Sequence, residues 1–151
     1  MSIVNDLKRT HENLQNAING LTTRELEARH SIGDWSVKDV LVHMAMWDGE
    51  VLKNLALWRS GSQVDWSYVK DRKAILKFND FWINNLKHLS ARKVIQMLNS
   101  IHGAIIADLS TSVGPHREKR RSIPKWLRQI TVDHNKHHIK KIQAYRESVG
   151  K

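Results

Sequence analysis

The sequence predicts an all-α fold: a four-helix bundle with at least one long crossover connection and a short extra helical piece. Three observations predict it. Apolar residues recur at three- and four-residue spacing along most of the chain, the signature of amphipathic helices. Seven glycines and two prolines in 151 residues leave little material for a many-turned β sandwich. Serine, threonine and proline stand where these periodic runs begin, and glycine where they end. The length fits a single domain, residues 1–151, able to bury a core without staples.

Val4, Leu7, His11, Leu14 and Ile18 define a first helix from about Ile3 to Asn19, with Gly20 as its stop. Thr22-Thr23-Arg24-Glu25 has the form of a capping box and opens a short helical piece. Gly33-Asp34 marks a loop between Arg29 and Trp35. Ser36, with Asp39 three residues on, caps a second long helix that runs to about Arg59 and stops at Ser60-Gly61. Its apolar side carries Val37, Val40, Leu41, Met44, Val51, Leu55 and Trp58. A third helix is expected from near Asp65 through Ile75, Leu76, Phe78, Trp82 and Leu86, with a break near Asn79-Asp80. Ser90 caps a fourth, in which Val94, Met97, Leu98, Ile101, Ile105 and Leu109 repeat with helical period. Residues 110–123 read as a long loop, and Pro124 suits the first position of a last helix reaching about Ser148.

Composition narrows the function classes. Without cysteine there is no disulfide framework, iron–sulfur site, zinc-thiolate finger or cysteine nucleophile. The opening residues mix apolar and charged side chains, unlike an export signal. No run approaches the roughly 20 apolar residues of a membrane span, so a cytoplasmic location without a membrane partner is the expectation. Residues 1–75 hold ten basic and ten acidic groups, whereas residues 116–151 hold eleven basic and three acidic. Such a basic end attracts nucleic acid, anionic lipid or an anionic small molecule through its field, and a solvated helix face would carry the same charges.

Nine histidines are present, and their positions matter more than their number. On a wheel with 100° per residue, Leu127, Ile130, Thr131, His134, His138, Ile142, Tyr145 and Val149 share one face. His134 and His138 lie near its middle, one turn apart, where two imidazoles can bind one metal ion or stand as hydrogen-bonded core residues. Lys141 falls on the same side, and His137 points about 80° away from the Leu127 direction, which favours His138 as the partner. His43, at the edge of the apolar face of the second long helix, shares its side with Trp47, Glu50 and Asn54. It is the candidate third ligand. Three histidines leave open positions on zinc, nickel or iron, where a bound water or thiol loses its proton near neutral pH. Glu50, two turns beyond His43, is a candidate base, hydrogen-bond partner or extra ligand, and a solvent-facing glutamate fits its position equally.

The run Gly33-Asp34-Trp35-Ser36-Val37-Lys38-Asp39-Val40-Leu41-Val42-His43-Met44-Ala45-Met46-Trp47 resembles the signature region of the DinB-like superfamily: a loop tryptophan, a helix cap, then a metal histidine. His134-Asn135-Lys136-His137-His138-Ile139-Lys140-Lys141-Ile142 resembles that family's closing His-x-x-x-His motif, and Phe78 to Leu109 is similar in rhythm to its middle helices. The resemblance implies a four-helix bundle with a crossover, often a homodimer, and a metal triad at His43, His134 and His138. It also implies thiol-dependent transferase or isomerase chemistry, with a divalent metal activating a low-molecular-weight thiol. A branch similar to the DfsB and colibactin-resistance proteins has the bundle without the full triad, and Phe78 to Leu109 is similar to that branch too.

Six tryptophans are mostly core or helix-junction anchors, with Trp47 the one expected beside the metal. No Gly-rich phosphate loop, nucleophile elbow, helix-turn-helix or zinc-finger pattern is present. The leading expectation is therefore a metal-dependent enzyme acting on a small molecule through a thiol or water. The alternative is a non-catalytic module, metal-free or binding nucleic acid or another acidic partner through residues 116–146.

Overall fold

The computed structural model describes residues 2–111 and 123–151. The basic cluster from His116 to Arg121, and most of the expected 110–123 loop, lie outside the described residues. Helices are α1 (Ile3–Ile18), α2 (Thr23–Glu27), α3 (Val37–Arg59), α4 (Arg72–Leu86), α5 (Ala91–Ser110), α6 (Lys125–Arg128) and α7 (His134–Ser148). A π-helical turn, Gln129–Asp133, joins α6 to α7 in one terminal helix. Among the described residues the extended structure is an isolated bridge between Ile32 and Trp35.

The starts are those the cap residues dictate. Ser36 and Thr22 each accept from the amide three residues on, while Asp39 and Glu25 reach back to the cap amide. These reciprocal bonds satisfy amides that a helix end leaves without partners. In the bundle α3 packs on α5 and α1 on the terminal helix, with α1 also touching α5 and α3 meeting the π turn and α7. Fifteen-residue α4 lies outside this quartet against α3, so the addition to the four-helix core is a full helix as well as the short α2.

The core has a layered build. One apolar cluster includes Leu14, Met44, Ala45, Leu98 and Ile139, and a second includes Leu7, Val51, Ile105, Leu127 and Val132. Between them each bundle helix presents polar side chains: Thr10 and His11 on α1, Asp48 on α3, His102 on α5 and Asn135 on α7.

The third and last helices depart from the sequence reading. Asp65 does not begin a helix: its Oδ1 accepts from Ser67 at a short 3₁₀ turn, and its backbone is clamped by the Asn54 side chain. The helix starts instead after Asp71, whose side chain accepts from the Ala74 amide at 2.8 Å. It runs unbroken through Asn79-Asp80, because the buried Asn79 side chain is used in contacts with α3 and does not compete for its own backbone.

Pro124 takes the cap position, and the terminal helix is interrupted by the π turn. The Thr131 hydroxyl donates to the Leu127 carbonyl at 2.6 Å within this turn. The His134 amide then reaches back five residues to Gln129. That extra residue rotates everything after it. Val132, Asn135 and Ile139 enter the core although the uninterrupted wheel leaves them off the inner face, and His134 moves to a half-buried edge.

Truncating Leu26, the buried residue of α2, to alanine is expected to lower unfolding free energy by about 2–5 kcal/mol. Ser36→Ala should cost about 1 kcal/mol through loss of the cap. Urea denaturation of each variant against the parent chain checks both values.

Candidate metal centre

Three histidines from two distant segments meet at one point. His43 Nε2 lies 2.9 Å from His134 Nε2 and 3.1 Å from His138 Nε2, and the latter two are 3.0 Å apart. His43 and His138 are buried, His134 half-buried. His43 projects from the second turn of α3, where almost every side is covered. His134 and His138 stand one turn apart on α7, immediately after the π turn.

The proton on His43 is assigned by its neighbours. Trp47 Nε1 can only donate, and it bonds Asn79 Oδ1 at 3.0 Å, which makes the Asn79 atom facing α3 its carbonyl oxygen. The same oxygen lies 3.1 Å from His43 Nδ1, so Nδ1–H donates and Nε2 turns a lone pair toward the other two imidazoles. A ligand histidine characteristically donates its far N–H in this way. For a nitrogen–metal distance of about 2.0–2.1 Å, nitrogens this far apart subtend roughly 90–98° at a shared ion. Nitrogens this close together could hold one divalent cation.

Burial, more than any other factor, keeps the three rings neutral. It pushes His43 down to about 3, helped by His134 and Lys141 and opposed by the Asn79 bond. His134 falls to about 4, with His137 adding to the burial effect, and His138 to about 2, lowered further by His134, His43, His137 and Lys141. Lys141 is exposed but close enough to act on the site, as its place on the wheel suggests.

Aromatic rings enclose the cluster. Trp35 lies 5.1 Å from the His43 ring, carried there by a tight turn at Gly33 (φ +61°) whose ends, Ile32 and Trp35, bond backbone to backbone. Trp47 lies 6.4 Å from His43 and 6.3 Å from His134, and Phe78 of α4 packs 4.9 Å from Trp47. Of this wall, Trp47 alone is expected from the sequence; Trp35 and Phe78 join it. Glu50 stands two helical turns along from His43, where its carboxylate accepts from Tyr68 and pairs with Lys53.

Sequence reasoning missed Asn79 as a site residue. The signal was present: position 79 lies four after Ile75 and three before Trp82, so a polar side chain occupies the helix's apolar stripe.

The unfolded chain protonates the three clustered histidine rings near 6.5 and the folded chain only near 4 or below, so the unfolded state binds more protons between. Their contribution to stability is complete above pH 6.5 and is lost as pH falls toward 4. Burial pulls His102 down, but its bonds to Asp48 and the Leu7 carbonyl outweigh this and raise it, so its sign is opposite: its contribution is complete below pH 6.5 and is lost as pH rises through the raised value. The urea midpoint of metal-free protein should fall between pH 7 and pH 5, and H43Q and H138Q should each flatten that slope.

A profile of the DinB superfamily matches residues 6–142. No curated protein matches the sequence. A crystal structure of a protein from Streptococcus pneumoniae, determined by a structural genomics consortium, is similar with a TM-score of 0.70 and 17% identity, over 95% of this chain and 88% of that one. At this identity the likeness speaks for the fold alone. The matched family region spans all three clustered histidines and Asn79, and the chain belongs to the DinB superfamily.

Proposed function

We propose that this protein is a divalent-metal-dependent enzyme in which His43, His134 and His138 hold a zinc, nickel or iron ion for chemistry on a small molecule. The observation that carries the reading is the convergence of three neutral Nε2 atoms within 3.1 Å of one another. When bound, such an ion lowers the pKa of a coordinated thiol or water toward neutrality and so supplies a nucleophile at pH 7. The transfer, hydrolysis or isomerisation of a small electrophile is the reaction class that this nucleophile serves, with a low-molecular-weight thiol as the proposed co-substrate.

The protein's own groups have distinct parts. Asn79 Oδ1 keeps the His43 proton on Nδ1 and its lone pair inward. Trp35, Trp47 and Phe78 keep bulk water from the histidines, which strengthens every polar interaction there. Glu50 is the proposed proton acceptor, its carboxylate oriented by Tyr68 and Lys53. Among the described residues no helix is long and apolar enough to cross a membrane. A homodimer acting in the cytoplasm belongs to the same reading and is checked by light scattering.

Protein purified without a histidine tag should carry near-stoichiometric zinc, nickel or iron, or bind one of them after chelation and dialysis. His43→Ala, His134→Ala and His138→Ala should each weaken binding by more than the roughly 10–100-fold typical of losing an outer hydrogen-bond partner. A wild-type chain that binds none of the three ions overturns the reading. Glu50→Gln should leave metal content unchanged and lower thiol-transfer turnover roughly 10²–10⁴-fold.

A further inference from the structure

The layer of polar side chains between the two apolar clusters has no part in the chemistry above, yet its groups are among the most deeply buried in the protein. Asp48 is 0% exposed, and His102 and Asn135 are each 2% exposed. His102 Nδ1 lies 2.9 Å from Asp48 Oδ2 and its Nε2 lies 3.2 Å from the Leu7 carbonyl oxygen. Both ring nitrogens thus face acceptors on other helices, and the ring is stacked on His11 of α1 at 4.9 Å. Asn135 Nδ2 donates to the Asp48 carboxylate at 3.3 Å. One chain of contacts therefore runs from α1 through α5 and α3 to α7.

For stability alone this is a poor use of the interior. Apolar residues of similar volume commonly do as well as a buried ion pair. A directional contact achieves something that apolar packing does not: it selects one rotation and one height of a helix. The place of this contact is informative. Asn135 follows the ligand His134 at the end of the π turn, and Asp48 lies five residues beyond the ligand His43 on α3. Rotation of α7 by a single residue, about 100°, would part Asn135 from Asp48 and would carry His134 and His138 away from His43.

We propose that Asp48, His102 and Asn135 are positioning residues for the metal centre: their buried contacts lock the terminal helix in the register, π turn included, at which His134 and His138 meet His43. This inference rests on the metal reading of the triad. It assigns to the polar layer the precision of the site and not the existence of the bundle.

The test compares Asn135→Ala, Asp48→Asn and the unrelated core variant Leu26→Ala with the full wild-type chain, all at a temperature where circular dichroism shows each folded. Zinc affinity is measured by competition with a chromophoric chelator, and geometry by the visible absorption of the cobalt-loaded protein. Asn135→Ala and Asp48→Asn are expected to weaken zinc binding 10–100-fold and to alter the cobalt spectrum. Leu26→Ala, although destabilised, is expected to leave both unchanged. If Asp48→Asn fails to fold, Asn135→Ala decides alone, since it removes no charge. Wild-type affinity and an unaltered spectrum in Asn135→Ala overturn the inference while the metal reading stands. A wild-type chain that binds neither zinc nor cobalt overturns both.

Discussion

An indole N–H has nothing to offer but a proton, and in this protein that limitation propagates through the whole site. Trp47 presents its N–H to Asn79, which settles the orientation of the Asn79 amide, which in turn settles the tautomer of His43. With the proton on Nδ1, the Nε2 lone pair points at His134 and His138. Helix α4, which lies outside the bundle and buries little of itself, is thereby required at the site because it carries Asn79 and Phe78. The arrangement explains why an asparagine, a mediocre residue in a helix interior, stands in the middle of that helix.

The environment reinforces the geometry. Three imidazoles in a desolvated cluster cannot hold protons readily, and the neighbouring Lys141 and His137 push in the same direction. Among the residues whose charge acts on the rings, none is acidic. Neutral imidazoles keep the lone pairs that a metal ligand must offer. The second buried polar group is built on the opposite logic. At the layer of Asp48, a carboxylate and an imidazole are paired across helices, and both nitrogens of the His102 ring face an acceptor.

Both groups share helix α3, five residues apart, and both reach to the start of α7. The π turn is what allows the two to be served by one helix. An uninterrupted α-helix from Leu127 would centre His134 and His138 on the inner face and leave Asn135 and Ile139 off it. With one residue added, Asn135 and Ile139 pack inward while the histidine pair turns to the edge nearest His43. Irregular turns of this type recur at functional sites because they aim side chains that a regular helix would misdirect.

Much of this was readable from the chain alone. Capping serines and threonines, the glycine stops and the apolar periodicity marked α1, α2, α3 and α5 nearly to their ends, because those signals act within about four residues. The three histidines were marked as well, two by one-turn spacing and the third by the run from Gly33 to Trp47. Other features depended on partners remote in sequence. Asn79 looked like a helix break until Trp47 and His43, more than thirty residues earlier, gave its side chain something to bond. Asp65 looked like a helix start until Asn54 clamped its backbone. The register of the terminal helix depends on the contact of Asn135 with Asp48 across the core. Sequence determined which residues could form the elements and the site; only packing between helices decided the angles at which they meet, since local bonds do not specify how one helix is turned against another.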